Sequence, residues 1–572
     1  MSTKGRPEGE LRRSAQRKGT PVSAPESDPP QRHAGRRRAL RGLVALPFTA
    51  WLPSSALRAA TDDSPCTVGN GARRALLIPE DRGYLGRLAP RGAPLTLVAA
   101  PTGSLPAGVT HGPFAYRVRH RGRDYVNPTL VLEPGERVRI TLANRLDAPT
   151  IAHWHGLAVD TANDGNGSML VAAGTRYVYD FVVRDRSALY WYHPHPHGST
   201  ARQTYDGLYG LIDVEDDDQR ALRRALDLVP GRTELTLVLQ DRHGSAAYRP
   251  TAAELTHGLF GDDMLVNGIA CPYLDVASRL YRLRVLNACN ARTLRVAFTT
   301  AAGARVPFTI VGNDGGLLPA PVTVQDAFVA TAERLDVLVD LRDAPVGEAV
   351  MMASLAFDPM HAEVGEPAPV DHASMGHGGA SPDASSAGAT GHAHGAAWPE
   401  GAPRRLMELR VRTRVRYDRT VPVTLAPLAP IDVTAARERP FRLGYNKGRW
   451  RINDRVFVMG ETPVEAARDT TEIWLLRNYH TSMPHAMHLH GFHMEVLERE
   501  TSPDFVAALG IDDRGRVASD LGRKDTLLVW PGESVRVAIR FALPWPEPQT
   551  YVFHCHNLEH EDGGMMVGVR VA

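Results

Sequence analysis

The sequence predicts an all-β protein built from β-sandwich domains. Two observations carry this prediction. Apolar and polar residues alternate with a period of two in short runs from about residue 74 to the end, which is the pattern of strands. The 43 prolines and 51 glycines supply frequent turns between these runs. Many short strands separated by turns are typical of β-sandwiches.

Three segments show the strand pattern, one in each third of the chain. Residues 129–140 read Thr-Leu-Val-Leu-Glu-Pro-Gly-Glu-Arg-Val-Arg-Ile, and residues 527–537 repeat the Pro-Gly-Glu-x-Val-Arg core. Residues 279–296, which contain Tyr-Arg-Leu-Arg-Val-Leu-Asn, mark a similar strand in the middle. The repetition indicates one kind of β-domain that is used more than once.

Two breaks divide the chain into three blocks. Residues 215–226 are acidic and then arginine-rich, without a strand pattern. Residues 358–403 are rich in Gly, Ala, Ser, Pro and His, a composition typical of flexible linkers. We therefore predict sandwich domains at about residues 74–215, 232–357 and 404–572, with a flexible histidine-containing insert before the third.

The first 60 residues are predicted to lie outside the fold. A polar, Arg-rich start is followed by a basic run at 36–41, an apolar stretch at 42–57 and small residues, as in an export signal. Arg36 and Arg37 resemble a twin-arginine signal, although Ala39 stands where that signal prefers Phe. We expect export by the twin-arginine machinery to the periplasm or the cell exterior. The alternative is a disordered basic tail.

Charge, hydropathy and cysteine count exclude several classes of protein. A formal net charge of +2 provides no field for nucleic acid or a membrane surface. No stretch of about 20 apolar residues predicts a transmembrane helix. The four cysteines are too few for a disulfide framework, although Cys271 and Cys289 could pair. Cys555 differs from the others because a histidine stands on each side of it.

Four His-x-His pairs carry the chemistry. Residues i and i+2 of a strand share one face, so each pair can present two imidazoles side by side. The residue between them faces the other way, so Cys555 projects away from its two histidines and one strand would serve two metal sites. The four pairs are His153 with His155, His193 with His195, His488 with His490, and His554 with His556.

The cysteine side predicts a blue-copper site. Such a site takes two histidines, one cysteine thiolate and a weak, long axial methionine. His560 and Met565 follow Cys555 at successive intervals of five residues, and His485 precedes the third histidine pair. On spacing alone, Met566 competes with Met565 for the axial position.

The histidine side gathers eight imidazoles. Imidazole suits copper, and a site without thiolate does not favour zinc or iron–sulfur clusters. Eight ligands would hold three copper ions, with two ligands on one ion and three on each of the others.

These motifs together resemble the multicopper oxidase family in its three-domain, laccase-like form, which includes bacterial copper oxidases and bilirubin oxidases. The resemblance covers about residues 75–572 apart from the insert. It implies three cupredoxin-like, Greek-key β-sandwich domains, with a type 1 copper in the third. The matching stretches are HWHG (153–156), WYHPHPHG (191–198), YDGLYG (205–210), YRLRVLNACNAR (281–292), GNDGGLL (312–318), AERLDVLVDL (332–341), HAMHLHGF (485–492) and HCHNLEHEDGGMM (554–566).

The resemblance also implies a role for each ligand and a total of four copper ions per chain. Half of the paired histidines lie in the first block and half in the third, so the trinuclear cluster is expected at their interface, bridged by the middle domain. The implied type 2 ligands are His153 and His488; the type 3 ligands are His155, His193, His195, His490, His554 and His556; the type 1 ligands are His485, Cys555, His560 and Met565.

An oxidase mechanism follows from the resemblance. A reducing substrate gives single electrons to the type 1 copper through an exposed histidine edge, and Cys555 passes them to His554 and His556. After four transfers the cluster reduces dioxygen to water. The candidate donors are phenols, aromatic amines, bilirubin-like compounds and Cu(I).

Two carboxylates are candidates for supplying protons to this reduction. Asp164 and Glu561 match acidic positions of the family near the cluster, and carboxylates at such places suit proton relay. They could instead only orient the ligating histidines. His197, His493, Trp154 and Trp191 also lie in or near the motifs, but we interpret them as structural.

The insert leaves a second function open. It is either a solvated linker or an accessory copper-binding loop over the type 1 site, as in copper-tolerance oxidases. The alternative function is therefore a cuprous oxidase or copper-resistance protein. A pure electron carrier would need only the type 1 set and is disfavoured. The residues concerned are Met360, His361, His372, Met375, His377, His392 and His394.

Overall fold

The computed structural model describes residues 73–361 and 398–572, and it confirms the all-β prediction. Within these residues 34 strands form six sheets, and the longest helix has nine residues. None of the helices described there combines the length and the apolar character that a membrane crossing requires. The predicted export signal and most of the insert lie outside the described residues.

The first block forms two sheets around one apolar core. Its strands are β1 Gly83–Tyr84, β2 Arg87–Leu88, β3 Leu95–Pro101, β4 Phe114–His120, β5 Arg123–Val126, β6 Thr129–Leu132, β7 Arg137–Asn144, β8 His153–His155, β9 Arg176–Val182, β10 Leu189–His193 and β11 Gly210–Val214. The sheet orders are β1-β5-β4-β3-β7-β9 and β2-β6-β11-β10-β8. Strand β7 shows the predicted alternation, because Val138, Ile140 and Leu142 are buried while their neighbours are more exposed.

The middle block forms a seven-stranded and a six-stranded sheet. Its strands are β12 Glu234–Arg242, β13 Asp263–Val266, β14 Ile269–Ala270, β15 Tyr273–Ala277, β16 Leu280–Asn287, β17 Leu294–Thr300, β18 Arg305–Val306, β19 Phe308–Asn313, β20 Gly316–Val324, β21 Asp326–Val329, β22 Arg334–Asp340, β23 Ala349–Ser354 and β24 Arg404–Thr413. The first sheet runs β14-β13-β12-β16-β22-β19-β20. The second runs β15-β24-β23-β17-β18, with β21 also paired to β17.

Strand β24 lies in the sheets of the middle block, whereas the sequence suggested the third block. We began the third block at residue 404, but β24 pairs with β15 and β23 of the middle block. Its apolar residues, including Leu406 and Leu409, pack into the middle core. The chain therefore returns to the middle sheets after the insert. The division into three domains itself stays a prediction.

Strand β16 is buried along its whole length, so its arginines do not face solvent. Arg282 bonds Glu234 and Asp336, and Arg284 bonds Asp213 of β11 in the first block. A buried charge is tolerated only when it is paired, so these arginines mark a sheet that is covered on both faces.

The last block again forms two sheets around its own core. Its strands are β25 Arg437–Asn446, β26 Arg449–Ile452, β27 Val464–Ala466, β28 Thr471–Asn478, β29 His485–Leu489, β30 Met494–Glu500, β31 Thr526–Val529, β32 Ser534–Arg540, β33 Gln549–Cys555 and β34 Met566–Val571. The sheet orders are β26-β25-β28-β32-β30 and β27-β34-β33-β29-β31.

Six short helices connect the strands: α1 Thr161–Asp164, α2 Thr200–Tyr205, α3 Asp217–Ala225, α4 Ala252–His257, α5 Asp504–Ala507 and α6 Leu558–Asp562, with a 3₁₀ turn at Ala518–Asp520. Helix α3 occupies the acidic-then-basic break between the first two blocks. Asp216 caps its first turn, and Arg223 and Arg224 lie in its last turn, where they complement the helix dipole.

The possible Cys271–Cys289 disulfide does not form. Cys289 is a free thiol buried in the middle core, with its Sγ 3.9 Å from the carbonyl oxygen of Leu239. Cys555 is also free and buried.

Candidate metal centre

Two strand pairs bring the His-x-His motifs together. In the first block β8 pairs with β10, so that His155 lies opposite Trp191 and His153 opposite His193. In the last block β29 pairs with β33, so that His488 lies opposite His554. Residues directly opposite in an antiparallel pair share one face of the sheet. The eight paired histidines, all at most 1% exposed, thus converge from two blocks; we call them the histidine cluster.

The other face of the β29–β33 pair carries the cysteine. Cys555 lies opposite Met487, and both belong to the apolar core of the last block. His485 is two residues before Met487 and therefore points to the same face. The alternation expected from the sequence thus separates Cys555 from the two histidines beside it.

The histidine cluster contains two groups of three facing nitrogens. In one, His193 Nε2 lies 3.5 Å from His155 Nδ1 and 3.4 Å from His556 Nε2. In the other, His554 Nε2 lies 3.3 Å from His195 Nε2 and 3.2 Å from His490 Nε2. Each group draws on both the first and the last block.

The remaining two histidines, His153 and His488, are neighbours, with 5.8 Å between their ring centroids. The ring of His153 stacks on that of His490 and the ring of His488 on that of His155, each at 3.7 Å between centroids. The Nε2 atoms of His153 and His488 are buried without a hydrogen-bond partner. Two buried imidazole nitrogens without partners are costly unless a metal ion or water binds them.

Six of the eight histidines are anchored through their other ring nitrogen. Such a bond sets the tautomer and leaves the facing nitrogen free to bind a metal. The acceptors are the Asp164 carbonyl for His153 (2.7 Å), Asp525 Oδ1 for His155 (3.0 Å), the Pro194 carbonyl for His193 (2.9 Å), the Asp525 carbonyl for His488 (2.8 Å), Asp164 Oδ2 for His490 (2.9 Å) and the Cys555 carbonyl for His554 (3.0 Å).

Burial favours the neutral form of several of these imidazoles. It lowers the pKa of His195 to about 4 and that of His556 to about 3. A neutral imidazole retains the lone pair that a metal ion needs, so the cluster is prepared for metal at ordinary pH.

Cys555, His485 and His560 form a second group, which we call the thiolate group. Cys555 Sγ lies 3.5 Å from His485 Nδ1 and 3.7 Å from His560 Nδ1. Burial raises the pKa of the Cys555 thiol to about 12. A thiolate therefore needs a bound cation at this place, since only metal binding would compensate for its burial.

The exposed histidine edge that we expected at this group is not present in the described residues. His485 and His560 are both 0% exposed. His560 Nε2 donates to the Thr256 carbonyl of α4 at 3.0 Å, and Trp450 Nε1 donates to the same oxygen at 2.6 Å. Helix α4 of the middle block and the Trp450 indole thus cover the thiolate group.

The backbone distinguishes the two candidate axial methionines. Met566 lies opposite His554 in the β33–β34 pair and so faces the histidine cluster. Met565 stands one residue earlier; its carbonyl accepts from the Cys555 backbone N–H, and its side chain packs in the same core as Cys555. Met565 therefore has the better placement for an axial ligand.

The two candidate carboxylates both contact the histidine cluster. Glu561 on α6 lies 3.4 Å from His195 Nδ1 and 3.2 Å from His554 Nδ1, and both of its oxygens are buried without a hydrogen bond. Asp164 bonds His490 and is fully buried. Burial raises the pKa of Asp164 well above its ordinary value.

Sequence reasoning missed Asp525, which contacts two cluster histidines. Burial alone would raise the pKa of the Asp525 carboxyl. The charge and hydrogen bonds of Arg334 outweigh burial and hold this pKa well below its ordinary range. Its motif, Lys-Asp-Thr, carries no metal-site signal. Only the pairing of β31 with β29, which sets Thr526 opposite His488, places Asp525 at the cluster.

Of the four residues interpreted as structural, one stacks on a cluster histidine and three contact other side chains. The Trp191 ring stacks on His193 at 4.2 Å, while the Trp154 ring packs against Tyr179. His197 contacts Phe457, and His493 lies 3.9 Å from Asp525. Of the candidate insert residues, Met360 and His361 are described, and His361 Nε2 lies 2.7 Å from Glu400. The other five lie between 362 and 397, outside the described residues.

The donor sets fit copper. Imidazoles alone suit copper at the histidine cluster, and a thiolate with two imidazoles is the blue-copper ligand set. The buried Nε2 atoms of His153 and His488 add an independent observation, because they lack any other partner.

Comparison with known proteins agrees with this chemistry. Residues 117–219 and 431–572 match two multicopper oxidase family models. A multicopper oxidase of Staphylococcus haemolyticus is 27% identical over 78% of this chain and 82% of its own length, and a Bacillus subtilis laccase is 30% identical over 73% and 79%. The crystal structure of the McoA multicopper oxidase from Aquifex aeolicus is 32% identical and covers 87% of this chain and 99% of its own, with a TM-score of 0.73.

Proposed function

This chain belongs to the multicopper oxidase family, and we propose that it couples four one-electron oxidations of a small reducing donor to the reduction of dioxygen to water. The family uses small-molecule substrates and dioxygen. One observation carries the proposal: eight buried imidazoles converge on one face of a strand pair whose other face carries a thiolate group. An electron carrier would not need the eight imidazoles.

The proposed ligand assignment follows the two groups of facing nitrogens. His155, His193 and His556 would bind one type 3 ion, and His195, His490 and His554 the other. His153 and His488 would bind the type 2 ion. His485, Cys555, His560 and Met565 would bind the type 1 ion, which makes four copper ions per chain.

Bound copper would supply the one-electron redox chemistry. The protein would contribute the geometry. Cys555 is joined by its own backbone to His554 and His556, which keeps the thiolate group and the histidine cluster at a fixed short separation. Burial of both groups excludes water, and the anchored ring nitrogens hold the imidazoles in place.

Protons for the reduction would pass through the two carboxylates. Glu561 would hold a proton at its carboxyl oxygens beside His195 and His554, and Asp164 would do so at Oδ1, which is buried without a partner. Carboxylates at hydrogen-bond distance from a reacting centre suit this role.

Phenols and aromatic amines are the proposed donors, in line with the laccase among the relatives. A cuprous oxidase or copper-resistance role is the second candidate. It is favoured by the His361–Glu400 pair, which joins the two ends of the insert, because the His361 ring lies 6.4 Å from that of His257 on α4, the helix that covers the thiolate group. An imidazole and a carboxylate near the thiolate group could receive a metal ion.

Oxygen stoichiometry tests the proposed function. The copper-loaded chain is expected to consume about one dioxygen for every four electrons taken from the donor, which is about four Cu(I) ions or two molecules of a two-electron donor such as bilirubin, without accumulating hydrogen peroxide. An oxygen electrode and a peroxide assay measure this with a phenol, bilirubin and Cu(I) on one preparation, and the copper-free chain is the control. Formation of peroxide at two electrons per dioxygen, or no oxygen uptake with any donor, would contradict it.

A leucine at position 565 tests the axial ligand. Met565→Leu is expected to keep the blue colour and to raise the reduction potential, because removal of a weak axial thioether disfavours the oxidised ion. Redox titration would resolve a rise of about 60 mV, which is a tenfold change in the equilibrium constant of a one-electron couple. Met566→Leu, on the other face, is the matched control and should leave the potential unchanged. The reverse result would assign the axial position to Met566.

A further inference from the structure

The middle block provides no candidate copper ligand, yet it reaches the histidine cluster through one buried arginine. Arg334 is the first residue of β22 and its side chain is 2% exposed. Its guanidinium forms a bidentate pair with Asp525, with 2.9 Å from Nη1 to Oδ1. Its Nε donates to the Leu189 carbonyl of the first block at 3.1 Å. One side chain thus joins all three blocks beside the cluster.

Asp525 in turn accepts hydrogen bonds from two cluster histidines. Its Oδ1 accepts from His155 Nε2 at 3.0 Å, and its carbonyl oxygen accepts from His488 Nδ1 at 2.8 Å. Thr526 Oγ1 donates to the same Oδ1 at 2.9 Å. The carboxylate therefore lies between a middle-block cation and a ligand from each of the other blocks.

The contact has a specific consequence for His155. Seven cluster histidines present Nε2 to the interior, whereas His155 presents Nδ1, because Asp525 accepts from its Nε2. A carboxylate that accepts from one ring nitrogen fixes the tautomer and the orientation of the ring. The orientation of Asp525 depends in turn on Arg334, whose planar fork matches both carboxylate oxygens.

We propose that Arg334 is a positioning residue for the histidine cluster, which acts through Asp525 to hold His155 and His488 in their metal-binding orientation. The middle block would then control copper retention at the cluster without binding copper. This inference rests on the proposed function, because it concerns how the chain holds the copper ions of that function.

A second cation, Lys524, also ties the segment that carries Asp525 to the middle block. Lys524 pairs with Asp314 at 3.2 Å and with Glu333 at 3.0 Å, and Asp314 also lies 3.7 Å from Arg334 Nη1. The Lys524–Glu333 pair does not involve the Arg334 side chain. His493, 3.9 Å from Asp525 Oδ2, also faces this carboxylate. An altered Arg334 side chain would therefore leave the segment attached while Asp525 loses its bidentate partner.

Arg282 provides a matched control. It lies on β16, which pairs with β22, is fully buried, and bonds Asp336, Glu234 and Gln219, none of which is a candidate ligand. Arg334→Lys and Arg282→Lys both keep the positive charge and both lose a fork that lysine cannot form. Asp525→Asn adds a second variant that keeps the size of the side chain and removes its charge.

The experiment measures copper per chain, the absorbance near 600 nm and the type 2 signal in electron paramagnetic resonance, after competition with a chelator. Arg334→Lys and Asp525→Asn are expected to retain cluster copper about 10- to 100-fold less tightly than the unaltered chain, with the 600 nm band unchanged. Arg282→Lys should retain all copper. Thermal unfolding of the copper-free chains shows how much stability each of the three substitutions costs.

Two results would overturn the inference. One is unchanged copper retention in Arg334→Lys. The other is that Arg282→Lys loses as much copper as Arg334→Lys and unfolds at a similar thermal midpoint, which would show that both arginines act only through stability. Failure of the proposed function looks different, because the unaltered chain itself would then bind no copper at the cluster or reduce no dioxygen.

Discussion

Replacement of Cys555 by serine is expected to abolish both the blue colour and the oxidase activity. The colour comes from copper bound to thiolate, with a band expected at about 600 nm, and serine provides no soft ligand at neutral pH. Activity is lost because Cys555 is the one residue that belongs to the thiolate group and is also bonded to two cluster histidines. The variant should keep copper at the histidine cluster, so the copper content falls by about one ion per chain. Absorbance, metal analysis and phenol oxidation measure the three effects.

Cys289→Ser is the matched control for this loss. Cys289 is also a free thiol and only 2% exposed, but it packs in the middle core. Its replacement should cost some stability and leave colour and activity intact. A Cys555→Ser chain that still oxidised phenols at the unaltered rate would contradict the ligand assignment as a whole.

The sequence predicted much of the site because strand alternation is a local property. The His-x-His spacing was sufficient to place His554 and His556 on one face and Cys555 on the other, and the β29–β33 pairing agrees with that arrangement. Spacing alone left Met565 and Met566 equivalent. The β33–β34 register separates them, and register depends on the partner strand.

The contacts between blocks could not be predicted in this way. Arg334 lies 191 residues before Asp525, and Thr256 lies 304 residues before His560. Both meet their partners only after separate sheets have packed together. The burial of β16 is of the same kind, because Arg284 pairs with Asp213 of another block.

Glu561→Gln is expected to slow the dioxygen step while donor oxidation continues. Glutamine keeps the size of the side chain but cannot hold and release a proton between two carboxylate oxygens. Loss of a positioned general acid–base group slows a reaction by about 100- to 10,000-fold. Stopped-flow measurement of the blue band separates the steps: bleaching by a phenol without oxygen should be unchanged, and recovery of the colour on adding oxygen should be slow.

Glu559→Gln is the control for this carboxylate. Glu559 is on the same helix and equally buried, but its oxygens accept from Asn290, Tyr248 and the Leu259 backbone rather than facing cluster histidines. It should leave colour recovery unchanged.

Copper content distinguishes the two roles that Glu561 could have. If it only anchors His195 and His554, the glutamine variant should lose cluster copper, and activity should fall in proportion to that loss. If it moves protons, the variant should hold its full copper and still recover slowly. Because both Glu561 oxygens are buried without a hydrogen bond and lie near two ring nitrogens, we expect the second result. Equal slowing of bleaching and recovery would exclude the relay.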